Sequence, residues 1–77
     1  MNAVLSKQAI KVLARIDAPT RERIAQAILK LPKGDIRPVQ GHTGLYRLRV
    51  GGWRILYSYA DAGLLIIDIG PRGGVYK

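Results

Sequence analysis

The chain of 77 residues carries 13 Lys and Arg against 5 Asp and Glu, a net charge of +8, and has no cysteine. A chain of this length holds one domain, residues 1–77, with a thin core that buries roughly 60% of the unfolded surface; without cysteine, a disulfide scaffold and a thiolate zinc site are excluded. No apolar run approaches the ~20 residues that span a bilayer or has the length of a signal peptide, so a soluble, cytoplasmic protein with no membrane partner is expected.

Residues 2 to 5 suit a short first strand. Ser6 then reads as an N-cap, and Ala9, Ile10, Val12, Leu13 and Ile16 recur at helical spacing, which predicts a helix ending near Asp17. Pro19 breaks that helix and fits the first turn of a second. There Ile24, Ala27, Ile28 and Leu31 form one apolar stripe opposite Arg21, Arg23 and Lys30. Pro32, Gly34 and Pro38 punctuate a loop running to about Gly44, after which the apolar period changes from helical to alternating. Leu45 to Val50, the two-residue turn Gly51-Gly52, and Trp53 to Ala60 read as a hairpin. After a turn at Asp61 to Gly63, the nearly all-apolar run Leu64 to Ile69 fits a central buried strand. Gly70-Pro71 stops it, and Gly73-Gly74 precedes Val75, Tyr76 and Lys77. The fold class is α+β: a helical hairpin packed on one face of a small, mainly antiparallel sheet, with one strand before the helices and three after.

If Gly51-Gly52 is the whole turn, Val50 pairs with Trp53, Arg49 with Arg54 and Arg47 with Leu56. Tyr46, Leu48, Val50, Trp53, Ile55, Tyr57 and Tyr59 then share the face suited to the helices, where packing is the better account of the aromatics than base stacking. Arg47, Arg49 and Arg54 share the other. Like charges opposed across a ladder destabilise it, and a guanidinium does not shed its proton. Planar arginine forks match phosphate oxygens, so an anion is expected on this face; the bland alternative is a solvated face with no specific ligand. A high positive charge attracts polyanions generally, which makes nucleic acid the leading partner class and an acidic protein the other.

These residues also carry a resemblance. Leu45 to Tyr57, Ile69 to Tyr76 and the helix start at Ser6 to Ala9 closely resemble the RelE/ParE superfamily of toxins of type II toxin–antitoxin systems, over essentially the whole chain. The RelE branch enters the ribosomal A site and cuts mRNA through attack of the RNA 2′-hydroxyl on the adjacent phosphate, which inhibits translation. The resemblance implies catalytic roles for Arg54, Arg72 and Tyr76, and phosphate or ribosomal-RNA contacts for Arg47 and Arg49. Fixed guanidinium groups would stabilise the charge that builds on phosphorus oxygens, and Tyr76 would stack on a base or handle a proton. Partners implied are mRNA, the ribosome and a cognate acidic antitoxin, with DNA met only through the antitoxin complex. Two departures matter: arginine stands at positions 47 and 49 where relatives often have lysine, and Pro71 stands where His or Lys is common. Arginine is not a proton acceptor, so the base is unassigned, with Tyr76 the remaining candidate.

Histidine is the side chain suited to proton transfer near neutral pH, so His42, in the Gly41 to Gly44 loop, is an auxiliary candidate beside the plainer reading of a surface histidine. Asp68 either orients an arginine or is a structural partner to an arginine or a backbone amide. No metal-ligand spacing, phosphate loop or nucleophile–base motif is present, so no cofactor or metal is expected. Three functions remain: a ribosome-dependent endoribonuclease, a ParE-like gyrase poison without chemistry, and a general basic nucleic-acid-binding module.

Overall fold

The computed structural model describes residues 3–61 and 63–71. Seven elements follow in order: β1 (Ala3–Leu5), α1 (Lys7–Arg15), α2 (Ala18–Leu29), β2 (Asp35–Pro38), β3 (Leu45–Val50), β4 (Trp53–Ala60) and β5 (Gly63–Pro71). The strands form one sheet in the order β1-β5-β4-β3-β2, with β1 parallel to β5 and every other pair antiparallel. The expected α+β arrangement is the one observed, except that four strands rather than three follow the helices.

The added strand is β2, which lies inside the stretch expected to be a loop. Its sequence Asp-Ile-Arg-Pro contains only one apolar residue besides the proline, too little period to read. Its place at the sheet edge, paired with β3 alone, explains why Pro38 is tolerated there. Gly34 leads into it at φ 137°, where an added Cβ would approach Leu48 Cδ1 to 2.9 Å, so the position suits only glycine.

Both helices begin where the sequence says. Ser6 Oγ accepts from the Ala9 backbone N–H (3.1 Å) and donates to the Ile67 carbonyl (2.6 Å), while the Ser6 N–H donates to the Ile66 carbonyl (2.9 Å). One residue thus caps α1 and fixes it to the interior strand β5. The Ile67 carbonyl is available because the β4–β5 ladder slips by one residue: Leu56 faces Asp68 while Tyr57 faces Ile66. The first helix stops at Arg15, two residues short of the expected end, and Asp17 instead caps α2 through the Thr20 N–H (3.1 Å) and hydroxyl (2.7 Å). Arg21 locks the corner, donating from Nε to the Leu13 carbonyl and from a terminal nitrogen to the Ile16 carbonyl, both at 2.8 Å. It satisfies acceptors that the end of a helix leaves open.

The core lies between the helices and one sheet face: Ala9, Ile24, Leu48, Ile55, Tyr57, Leu64, Ile66 and Ile69 are buried together, with Val50 and Trp53 packed against them. Two residues assigned to the packed side by their spacing are largely exposed, Ile10 at 55% and Tyr59 at 47%. Leu31 falls just past the end of α2 but still packs on the core.

Candidate functional site

The register around the hairpin is the one expected. Val50 pairs with Trp53, Arg49 with Arg54 and Arg47 with Leu56, and Gly51 supplies the positive φ (59°) that a two-residue turn requires. Extending the pairing across the sheet gives two rows on the face away from the helices. One row is Asp35, Arg49, Arg54 and Gly70; the next is Arg37, Arg47, Leu56 and Asp68. The structure therefore brings Arg47, Arg49, Arg54 and Asp68 onto one face and adds Arg37 and Asp35. Reasoning from sequence missed both because it missed β2; the one available signal was Ile36 standing apolar between two charged residues.

Electrostatically the face holds two directly opposed arginine pairs, Arg37 with Arg47 and Arg49 with Arg54. Among the described residues its ion pairing is slight: Arg49 lies 4.0 Å from the Asp35 carboxylate, with both side chains about half exposed, a geometry that contributes little in water. Leu56 is buried on this side at 6% exposure, as expected where arginine stems lie along a sheet. The Nε atoms of Arg47 and Arg54 are also buried, and neither has a hydrogen-bond partner among the described residues. A buried N–H without an acceptor is costly, so both donors call for one that the described residues do not supply. Beside them a notch of about 160 Å³ opens at the hairpin tip, lined by Arg49, Gly51, Gly52, Trp53 and Arg54. It presents two guanidinium groups that an anion could accept from.

The remaining candidates are placed differently. Asp68 Oδ1 accepts from the backbone N–H of Ile69 at 2.8 Å, and no arginine lies within ion-pair distance of it among the described residues. His42 sits in the exposed loop before β3, its backbone N–H donating to the Val39 carbonyl (3.2 Å). That loop joins β3 at the end away from the notch, with Leu45 and Arg49 separated by roughly 13 Å of strand. Tyr46, Tyr57 and Tyr59 cluster on the helix side, with ring centroids 5.5 to 6.0 Å apart. Burial, reinforced by the neighbouring Tyr59, pushes the Tyr57 phenol up to about 12, so it stays protonated near neutrality. Arg72 and Tyr76 lie outside the described residues. No helix among the described residues is long and apolar enough to cross a membrane.

Known proteins resemble the chain in both sequence and structure. The family described as the ParE toxin of type II toxin–antitoxin system, parDE, matches residues 3–76. Among solved structures, the RelB–RelE antitoxin–toxin complex of Methanococcus jannaschii matches at 25% identity over 88% of each chain, with a TM-score of 0.74. The archaeal RelE–RelB complex of Pyrococcus horikoshii OT3 matches at 28% identity over 94% of each chain, with a TM-score of 0.72. The intact RelBE toxin–antitoxin complex of E. coli shares the fold at 19% identity, covering 90% of this chain and 93% of that one, with a TM-score of 0.69. No curated protein matches. The chain belongs to the ParE toxin family of type II toxin–antitoxin systems, within the RelE/ParE superfamily.

Proposed function

We propose that this toxin is an RNA-cleaving one, acting on mRNA in the ribosomal A site, and that the arginine face binds the scissile phosphodiester. The observation that carries this reading is the pair of buried Nε donors on Arg47 and Arg54 that have no partner among the described residues, beside the opposed Arg49–Arg54 pair. Such a surface is unfavourable empty and favourable around a phosphate, whose oxygens supply the missing acceptors.

In the reaction the 2′-hydroxyl of one nucleotide attacks its own 3′-phosphate. The P–O2′ bond forms as the P–O5′ bond breaks, leaving a 2′,3′-cyclic phosphate and a 5′-hydroxyl. One proton leaves the 2′-oxygen and one reaches the departing 5′-oxygen. Arg54 would stabilise the extra negative charge of five-coordinate phosphorus, as a positioned donor that does not reorganise during the step. Arg47 and Arg49 would hold the adjoining backbone. Pro71 pairs with Trp53, which lines the notch, and Arg72 is the next residue. Five residues reach at most ~18 Å, which allows Tyr76 to act at the same place. A cognate acidic antitoxin, by analogy with the RelB partners of the solved neighbours, would cover the positive face.

The test is to add the protein to a translation reaction and map message 5′ ends. Cuts at ribosome-occupied codons are expected, and Arg54→Ala, Arg72→Ala and Tyr76→Phe should each slow them by about 10² or more. Absence of such cuts refutes the reading. The family match favours a second reading, inhibition of DNA gyrase by binding; loss of supercoiling activity without message cleavage would establish it.

A further inference from the structure

Arg49 lines two cavities. One is the notch; the other is a larger cleft of about 350 Å³ between α2 and β3, whose charged lining is Arg23, Lys30, Lys33 and Arg49 against Glu22. The two meet at the hairpin tip. Arg23 reaches it from α2, because a Cβ added to Gly51 would lie 4.0 Å from an Arg23 guanidinium nitrogen. Lys30 and Lys33 are held together at the end of the helix, where the Lys33 N–H donates to the Lys30 carbonyl at 2.8 Å. The one acid of the lining already accepts a hydrogen bond from Gln26 Nε2 at 3.0 Å. At β3 the rim is open: β2 begins at Asp35 opposite Arg49, so Val50 has no partner on that side.

We propose that this cleft is a second phosphate-binding site, which holds the RNA strand flanking the one in the notch. The inference rests on the RNA-binding reading of the arginine face. The positive track runs from Arg54 and Arg49 over the glycine turn to Arg23, Lys30 and Lys33, from one side of the sheet to the other. A strand following it places successive phosphates against cations throughout, and the bare turn offers no side chain to obstruct it. An acidic peptide could meet the same cations, but the track's continuity with the notch through Arg49 favours a polymer with charge at every repeat.

The experiment measures binding of a fluorescent single-stranded RNA of about 12 nucleotides, long enough to occupy both sites, against one of about 3. Affinity for the longer strand is followed as salt is varied. Each phosphate contact contributes ~0.7 to the salt slope on a single strand. Replacing Arg23, Lys30 and Lys33 with Gln should lower the slope by about 2 and weaken the long strand at least ~10-fold at low salt, with the short strand unaffected. Lys30 and Lys33 also sit favourably at the C-terminus of a helix, so thermal melts accompany the titrations; if the triple variant unfolds, Lys33→Gln alone should lower the slope by about 0.7. Unchanged slope and affinity in the triple variant, with binding lost in Arg47→Gln/Arg54→Gln, would overturn the cleft and leave the arginine face standing. Unchanged binding in both variants would overturn the face reading as well. A triple variant that keeps RNA but loses polyglutamate would assign the cleft to an acidic peptide and overturn the proposal.

Discussion

If the arginine face is arranged for an absent anion, removing one arginine should stabilise the free protein while it impairs function. Arg54→Met is the informative change, since it retains a long apolar stem but deletes both the charge and the buried Nε that has no partner among the described residues. Arg54 is directly opposite Arg49, where Cα atoms lie about 4.5–5.5 Å apart, and guanidinium groups splayed away from each other would stand on the order of 8 Å apart. At an effective dielectric of about 20 that repulsion is ~2 kcal/mol, falling to ~0.5 kcal/mol in bulk water. Partial solvation and the weak Asp35 contact to Arg49 at 4.0 Å favour the lower half of that range. Relief of an unsatisfied buried donor adds ~1 kcal/mol. A net gain of about 1–2 kcal/mol raises the melting temperature of a domain this size by roughly 5–10 °C. Thermal denaturation at low salt measures it. The gain should shrink as salt screens the repulsion over a Debye length of ~10 Å at 0.1 M, and phosphate should stabilise the natural protein more than the variant. A variant that melts lower than the parent, with no phosphate effect on either, would refute the idea that the face is frustrated without its ligand.

The other predictions concern the scaffold. Ile24 is the one fully buried residue of α2, so Ile24→Ala should cost about 2–5 kcal/mol by chemical denaturation. Arg21→Ala leaves the Leu13 and Ile16 carbonyls without their 2.8 Å donors and should cost ~1 kcal/mol, with solvent replacing the bonds at this exposed corner. Gly34→Ala combines φ 137° with a 2.9 Å approach to Leu48 Cδ1; a loss of about 1–3 kcal/mol is expected, read as a lower melting temperature. The Tyr57 phenol is raised from 10.0 to about 12 by burial. Its contribution is therefore fully present below pH ~10 and lost as pH rises towards ~12. Tyr57→Phe should melt with a flatter dependence on pH across that window, and an equally steep one would place the alkaline sensitivity elsewhere.

Legibility from sequence followed the strength of the local signal. Ser6 and the Gly51-Gly52 turn each pin a geometry with one or two residues, so the cap of α1 and the pairing of Arg49 with Arg54 are legible in those residues themselves. The cap before α2 is less so: Asp17 looks equally like the last residue of one helix and the first constraint on the next, and only its bonds to Thr20 decide the matter. Arg37 and Asp35 were hidden because β2 has a lone isoleucine and a proline, and derives its order from β3 rather than from its own pattern. The slip between Leu56 and Tyr57 was equally invisible. In the nearly all-apolar run of β5, nothing local says which residue will be skipped; the Ser6 hydroxyl, 61 positions away in sequence, bonds the Ile67 carbonyl at that point.

The same geometry narrows the source of proton transfer on the RNA-cleaving reading. Arginine stabilises charge but neither accepts nor releases a proton at neutral pH, so Arg47, Arg49 and Arg54 leave that role open. Among the other candidate groups, Asp68 faces the arginine side, but one carboxylate oxygen accepts from the Ile69 amide. Tyr57 lies on the opposite face with its phenol pushed up to about 12, and His42 precedes the far end of β3. Binding and chemistry are then divided by sequence: the sheet supplies fixed positive charge, and the proton traffic falls to the residues after Pro71 or to the RNA's own surroundings. A chain ending at Pro71 should still bind RNA with most of the parent's salt slope and fail to cut. If it cuts at the parent's rate, the base lies on the sheet, and Asp68 becomes the group to replace.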